Sequence, residues 1–179
     1  VAAFKSIGLN PALGLVFPIA AQAIGVIASI AGVFAVKAKE GEMDALKPIN
    51  KGFLVAGLIT LAGTLALALK YVGNAKGVAG PGVQLMSGAG WRVFGAIAVG
   101  LVLAQLVSRL TEYYTSTHFR PVQEIAESAE TGPATAVLSG TAYGLESSVY
   151  AVIAIAIAIG VALALGGGNL TFSLYLVAL

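Results

Sequence analysis

The chain alternates long apolar runs with shorter polar connections. Four runs, residues 13–36, 52–69, 93–110 and 134–165, are long enough to cross a bilayer, and a fifth occupies residues 170–179. Apolar residues follow one another within each run instead of alternating with polar ones, which predicts helices and not barrel strands. A hydrocarbon core takes about 20 helical residues to cross. The second and third runs lie near the short end of that range, and the fifth falls below it. The expected fold is therefore all-α, a polytopic transmembrane helix bundle with four full spans plus a truncated fifth, forming one region over residues 1–179. Pro18 falls in the first turns of the first run, where one missing backbone donor is tolerated. The chain begins at Val1 and stops inside an apolar run at Leu179, so it reads as an internal fragment of a longer protein.

Composition turns this pattern into a class. Hydrophobic residues make up 58% and charged residues 10% of the chain. A soluble domain carries about 25% charged residues; this chain cannot clothe itself in a solvated surface, and its natural partner is the lipid bilayer. A net charge of +2, with no basic patch interleaved with aromatics, excludes nucleic acid. The absence of cysteine excludes disulfides and thiolate metal sites.

Loop cations set an orientation. Lys37, Lys39, Lys47 and Lys51 follow the first run, and Arg109 and Arg120 follow the third; Lys5, Lys70, Lys76 and Arg92 fall on the other side. The excess places residues 37–51 and 109–133 in the cytoplasm. Tyr71 and Trp91 flank the opposite, glycine-rich connection, where amphipathic rings favour the headgroup zone. Small residues recur at a spacing of four: Ala21, Gly25 and Ser29 on the first run, and Gly140, Gly144 and Ser148 on the fourth. Such ridges let helix backbones approach closely, either within the chain or across a dimer face.

Chemistry is confined to a few residues. Asp44 is the single aspartate. Phosphoanhydride hydrolysis needs several carboxylates to hold Mg²⁺, so no catalytic or metal-binding set is expected here. No Gly-Lys-Ser/Thr phosphate loop occurs, and the one histidine, His118, reads as a solvated loop residue. Glu146 lies about twelve residues, or roughly 18 Å, into the fourth run. An intramembrane carboxylate is by default a functional candidate; an interfacial position, or neutralisation by a partner from other helices, are the alternatives. Glu112, Tyr113, Tyr114, Thr115 and Arg120 sit where the third helix emerges. A helix C-terminus disfavours an anion, which calls for a cation beside Glu112, either Arg109 or Arg120. Glu124, Glu127 and Glu130, spaced by three, form a solvated face of a short helical piece. Thr131 or Thr135 is expected to cap the next helix, with Pro133 just inside it.

The polar segment between the third and fourth runs is the most specific feature. Glu112-Tyr113-Tyr114-Thr115-Ser116 is followed by Pro121-Val122-Gln123 and then by Thr131-Gly132-Pro133-Ala134-Thr135. This pattern resembles the membrane-integral ion-pumping inorganic pyrophosphatases, in which a helix ends in Glu-Tyr-Tyr-Thr-Ser, a loop carries Pro-Val-Gln, and Thr-Gly-x-Ala-Thr opens the next helix. The likeness covers about Trp91 to Ser148, through Phe94, Ala98-Val99-Gly100-Leu101, Gln123-Glu124-Ile125-Ala126, Ser128, Gly140 and Gly144, with Leu170-Thr171-Phe172 resembling the start of a further helix.

The resemblance implies a homodimer of large subunits that hydrolyse pyrophosphate with Mg²⁺, and in some members K⁺, coupled to export or vacuolar uptake of H⁺ or Na⁺. It implies a multi-pass location in a bacterial or archaeal cell membrane, or in a vacuolar-type one. This chain then corresponds to outer-ring helices, a scaffold packed on the remaining helices of the parent pump, with pyrophosphate and Mg²⁺ bound elsewhere. Within that scaffold Glu112, Tyr113, Thr115, Arg120, Gln123, Thr131 and Glu146 are candidates for a coupling or structural role, and Gly140, Gly144 and Ser148 for helix packing. The alternative is a complete small polytopic membrane protein, such as a transporter subunit or interaction module.

Overall fold

The computed structural model describes residues 2–36, 46–73 and 88–179. Asp44, Lys37, Lys39, Lys76 and most of the glycine-rich connection lie outside the described residues. Among the described residues every regular element is helical: α1 (Ala2–Ser6), α2 (Pro11–Ala35), α3 (Leu46–Leu67, continued by a π-helical stretch, Ala68–Gly73), α4 (Ala89–Thr115), α5 (Arg120–Thr131), α6 (Pro133–Leu165) and α7 (Leu170–Ala178). Four helical stretches, built on α2, α3, α4 and α6, are long and apolar enough to cross a membrane. The protein is an all-α, multi-pass membrane protein.

Helices run past the apolar runs at several ends, which changes the surroundings of particular residues. Because α2 begins at Pro11, Pro18 lies in its interior and not in its opening turn. Proline has no N–H to donate to the Gly14 carbonyl one turn back. Tyr71, Trp91 and Arg92 are helical instead of lying in a connection.

Two compact units are present, residues 1–98 with 162–179, and residues 99–161. The first is built around Phe4, Ile7, Phe17, Val93 and Phe172, all fully or almost fully buried. The Phe4 ring meets Phe172 edge-on at 6.3 Å between centroids and Tyr175 at 5.1 Å. Gly14 makes room for it, since a Cβ there would lie 2.7 Å from Phe4 Cδ2. Helices α2 and α3 approach through Gly32, whose Cβ position is 2.8 Å from Ala56 Cβ and 3.0 Å from the Gly52 carbonyl oxygen. Gly25, on the spacing-of-four ridge of the same helix, is not part of that contact. Gly25 faces open space, and Ser29 Oγ donates to the Gly25 carbonyl at 2.7 Å.

Several polar side chains in this unit are satisfied locally, as an apolar solvent demands, although the buried Tyr175 hydroxyl has no hydrogen-bond partner among the described residues. Thr60 and Thr64 donate to carbonyls one turn back, those of Ala56 (2.9 Å) and Thr60 (2.7 Å). Asn10 caps α2 by accepting from Ala12 N at 3.0 Å, and Asn169 caps α7 by accepting from Phe172 N at 3.1 Å. Asn169 also joins α7 to α1: Ser6 Oγ donates to its Oδ1 at 3.2 Å, and its Nδ2 donates to the Ser6 carbonyl at 3.4 Å. Arg92 Nη1 donates to the Leu165 carbonyl at 2.7 Å, placing a cation on the negative end of α6. The chain then turns through Gly167 (φ 62°) and Gly168 (φ 87°), a left-handed path that glycine takes without strain.

Candidate functional site

The polar motif lies in the second unit, on the last turns of α4, on α5 and on the first half of α6. Local chemistry dictates this arrangement. Helix α4 ends at Thr115, and the chain reverses through Ser116–Phe119, where Ser116 Oγ accepts from the backbone N of His118 at 3.4 Å. Pro121 stands in the first turn of α5, where its missing N–H has no intrahelical partner to lose. Gly132 closes α5 with φ 144° and ψ 165°, a positive φ that favours glycine. Pro133 then opens α6.

Neither threonine caps α6, because Gly132 and not a threonine precedes that helix. Thr131 Oγ1 and Thr135 Oγ1 each lie 2.7 Å from the Ser128 carbonyl and 2.8 Å from each other. They sit on adjoining helical turns, where a hydroxyl reaches back to a carbonyl instead of forward to an N–H. Together they fasten the α5–α6 junction.

Glu112 takes Arg109 as its cation, with Nη1 to Oε2 at 3.4 Å and a spacing of three on α4. Arg120 forms the first residue of α5. Thr115 Oγ1 donates to the Thr111 carbonyl at 2.7 Å. Gln123 Nε2 donates to the Thr117 carbonyl at 3.3 Å, holding the first turn of α5 to the preceding turn. The Tyr113 ring meets Tyr114 at 5.1 Å, nearly perpendicular, and Phe119 at 5.2 Å.

Two tyrosine–carboxylate bonds join the three helices. The Tyr114 hydroxyl on α4 donates to Glu146 Oε1 on α6 at 3.0 Å, and the Tyr143 hydroxyl on α6 donates to Glu124 Oε2 on α5. The Tyr114 and Tyr143 rings lie 6.5 Å apart. Sequence reasoning singled out Glu146 but not Tyr143 or these pairings. The available signal was the Tyr143/Glu146 spacing of three within an apolar run, which puts both on one face of α6. By contrast, a Cβ at Gly140 or Gly144 meets no atom within 4 Å, and Ser148 Oγ donates to the Gly144 carbonyl at 2.9 Å.

The family resemblance implies Mg²⁺, which demands a near-octahedral set of oxygens. Among the described residues no three His, Cys, Asp or Glu side chains gather as a ligand set. Glu112, Glu124 and Glu146 are instead directed to three separate donors. These residues do not fit the ion.

The family model described as inorganic H⁺ pyrophosphatase matches residues 1–179. A K(+)-insensitive pyrophosphate-energized proton pump from Streptomyces coelicolor is 37% identical over 172 residues, covering 93% of this chain and 22% of that relative. A relative of the same name from Chloroflexus aurantiacus is 38% identical over 79% of this chain and 17% of its own length. A pyrophosphate-energized proton pump 2 from Rhizobium leguminosarum bv. trifolii is 35% identical over 86% of this chain and 69% of its own length. The chain thus spans about a fifth of the first two relatives. With the motif geometry, the four membrane-length helices and a family match from first residue to last all in agreement, the chain belongs to the inorganic H⁺ pyrophosphatase family.

Proposed function

We propose that this chain is the outer scaffold of a pump that hydrolyses inorganic pyrophosphate and uses the energy to move H⁺ or Na⁺ across a bacterial cell membrane. The observation that carries the reading is the family match over residues 1–179, joined to a sequence with a single aspartate, Asp44. Pyrophosphate chemistry needs clustered carboxylates to bind Mg²⁺, so Mg²⁺ and pyrophosphate bind to helices of the parent pump outside this segment. The working unit is a homodimer, and the unfilled ridge at Gly140, Gly144 and Ser148 suits close approach to another helix. Glu112, Tyr113, Thr115, Arg120, Gln123, Thr131 and Glu146 hold the cytoplasmic ends of the helices in register. Potassium either stimulates this pump or leaves it indifferent; the relative from Streptomyces coelicolor carries a K(+)-insensitive name.

The test uses the full-length parent protein reconstituted in liposomes, assayed for phosphate release and for ion uptake with Mg²⁺, with and without K⁺. The expected result is pyrophosphate-driven uptake by the parent and no hydrolysis by residues 1–179 alone. A parent that fails to hydrolyse pyrophosphate, or an isolated segment that does so, overturns the reading.

A further inference from the structure

Glu146 lies in the first half of the apolar helix α6, level with Tyr114 at the end of α4, and a carboxylate on such a helix needs a purpose. Two purposes compete: carrying the transported ion, or holding neighbouring helices in place. Its surroundings distinguish them. Glu146 accepts from Tyr114 on α4, while Tyr143, three residues earlier on α6, donates to Glu124 on α5. The two bonds run in opposite senses, so α6 contributes the acceptor of one and the donor of the other. Tyr114 and Tyr143 also lie ring to ring at 6.5 Å, which keeps the two pairs together as one cluster. At about 100° per residue, Tyr143 and Glu146 share a face of α6, with Gly144 and Ser148 turned roughly 130° and 170° away and Gly140 about 60° from Tyr143. A Cβ at Gly140 or Gly144 meets nothing within 4 Å, so the cluster leaves the ridge of small residues open. Neutral phenols are weak proton-transfer partners at physiological pH, since tyrosine ionises near 10. As fixed donors to a carboxylate they serve well.

We propose that Tyr114–Glu146 and Tyr143–Glu124 form a two-bond clasp fixing α4, α5 and α6 to one another, with Glu146 a positioning residue that does not carry the transported ion. This refines the scaffold reading and rests on it. The clasp gives α5, a short polar helix between two membrane-length ones, a defined attachment to α6 beyond its two connections. Its essential property is an acceptor oxygen at residue 146, not a titratable group.

The experiment is a double-mutant cycle in the full-length parent protein, with Tyr114→Phe, Glu146→Leu and the pair, read by thermal unfolding in detergent, plus Glu146→Gln read by unfolding and by ion uptake in liposomes. Glutamine keeps an acceptor oxygen in the same place and cannot take up a proton at any working pH. Each single variant is expected to raise the unfolded-to-folded ratio about ten-fold, the loss of one hydrogen bond to a charged acceptor, and the pair no more than either. Glu146→Gln is expected to restore the unfolding midpoint and to keep wild-type ion uptake. Additive effects of the two single variants, or loss of uptake in Glu146→Gln with an unchanged midpoint, overturn the proposal. If Glu146→Leu does not fold, Tyr114→Phe and Glu146→Ala, which also removes the acceptor, form the cycle, and additivity again overturns the proposal. Should the parent lack pyrophosphate-driven uptake altogether, the pump reading fails by itself while the unfolding cycle still decides whether the clasp exists.

Discussion

Replacing Gly32 by alanine tests whether α2 and α3 are held by backbone approach. An added Cβ at residue 32 lies 2.8 Å from Ala56 Cβ and 3.0 Å from the Gly52 carbonyl oxygen. Ordinary carbon contacts fall at about 3.5–4.0 Å, so the helices must part by roughly 1 Å or distort. Neither neighbour can yield by rotating a side chain, because one is a methyl carbon on its own backbone and the other is backbone. Overpacking of this kind costs about 1–3 kcal/mol. Alanine also gains about 1 kcal/mol over glycine inside a helix, which hides part of that cost. Gly25, on the same helix, provides the control, since a Cβ there meets nothing within 4 Å. Gly25→Ala collects the propensity gain alone, and the difference between the two variants isolates the packing term at about 1–3 kcal/mol. Denaturant titration of the full-length protein in mixed micelles reads that difference directly. Equal stability of Gly32→Ala and Gly25→Ala would refute the claim that the α2–α3 contact depends on glycine at residue 32.

Three further outcomes follow from single polar contacts. Arg92→Ala removes the donor to the Leu165 carbonyl and is expected to destabilise by about 1–2 kcal/mol, visible as faster hydrogen exchange at the end of α6; unchanged exchange there would count against the cap. Asn169→Ala deletes the α7 cap and both links to Ser6, with an expected loss of about 1–2 kcal/mol, whereas Asn169→Ser should retain most of the cap and lose the links, giving an intermediate unfolding midpoint. Arg109→Ala breaks an exposed pair with Glu112 and is expected to change stability by no more than about 0.5 kcal/mol; a loss several times larger would show that Glu112 depends on Arg109 for more than a surface ion pair.

Long-range facts about this fold were legible in the sequence because hydropathy is summed over many residues. Four membrane-length helices need no partner to be recognised, since each carries its own signal in about 20 consecutive apolar positions. The polar motif was legible for a related reason. Pro121, Gly132 and Pro133 act through backbone chemistry that is local to each of them, and they produced the helix–turn–helix junction that their order suggests. Arg92 was misassigned to a connection because charge alone was used to end the helix. An arginine at the start of α4 is instead held by the bare carbonyl at the end of α6, a contact between residues far apart in the chain. Threonine at 131 and 135 misled in the same way. The residue type suits a cap, but the glycine between them occupies the capping position and both hydroxyls turn back to the Ser128 carbonyl.

The small residues show why the remainder was hidden. A spacing of four defines a stripe on a helix, yet it does not say which of several stripes faces a neighbour. On α2 Gly25 faces open space, while Gly32, outside its stripe, touches α3. The distinguishing information lies on α3, in Gly52 and Ala56, and becomes available only when the two helices are paired. Glu146 obeys the same logic. Its position in an apolar run identified it as unusual, but its role depends on Tyr114, thirty-two residues away, and on the neighbouring Tyr143–Glu124 pair. In an apolar medium each polar atom must find a partner or remain a liability. Reading such a chain therefore comes down to locating those partners: the threonines of α3 and the Arg109–Glu112 pair find theirs about one helical turn away, which sequence can anticipate, whereas Glu146, Glu124 and Arg92 find theirs on other helices, which it cannot.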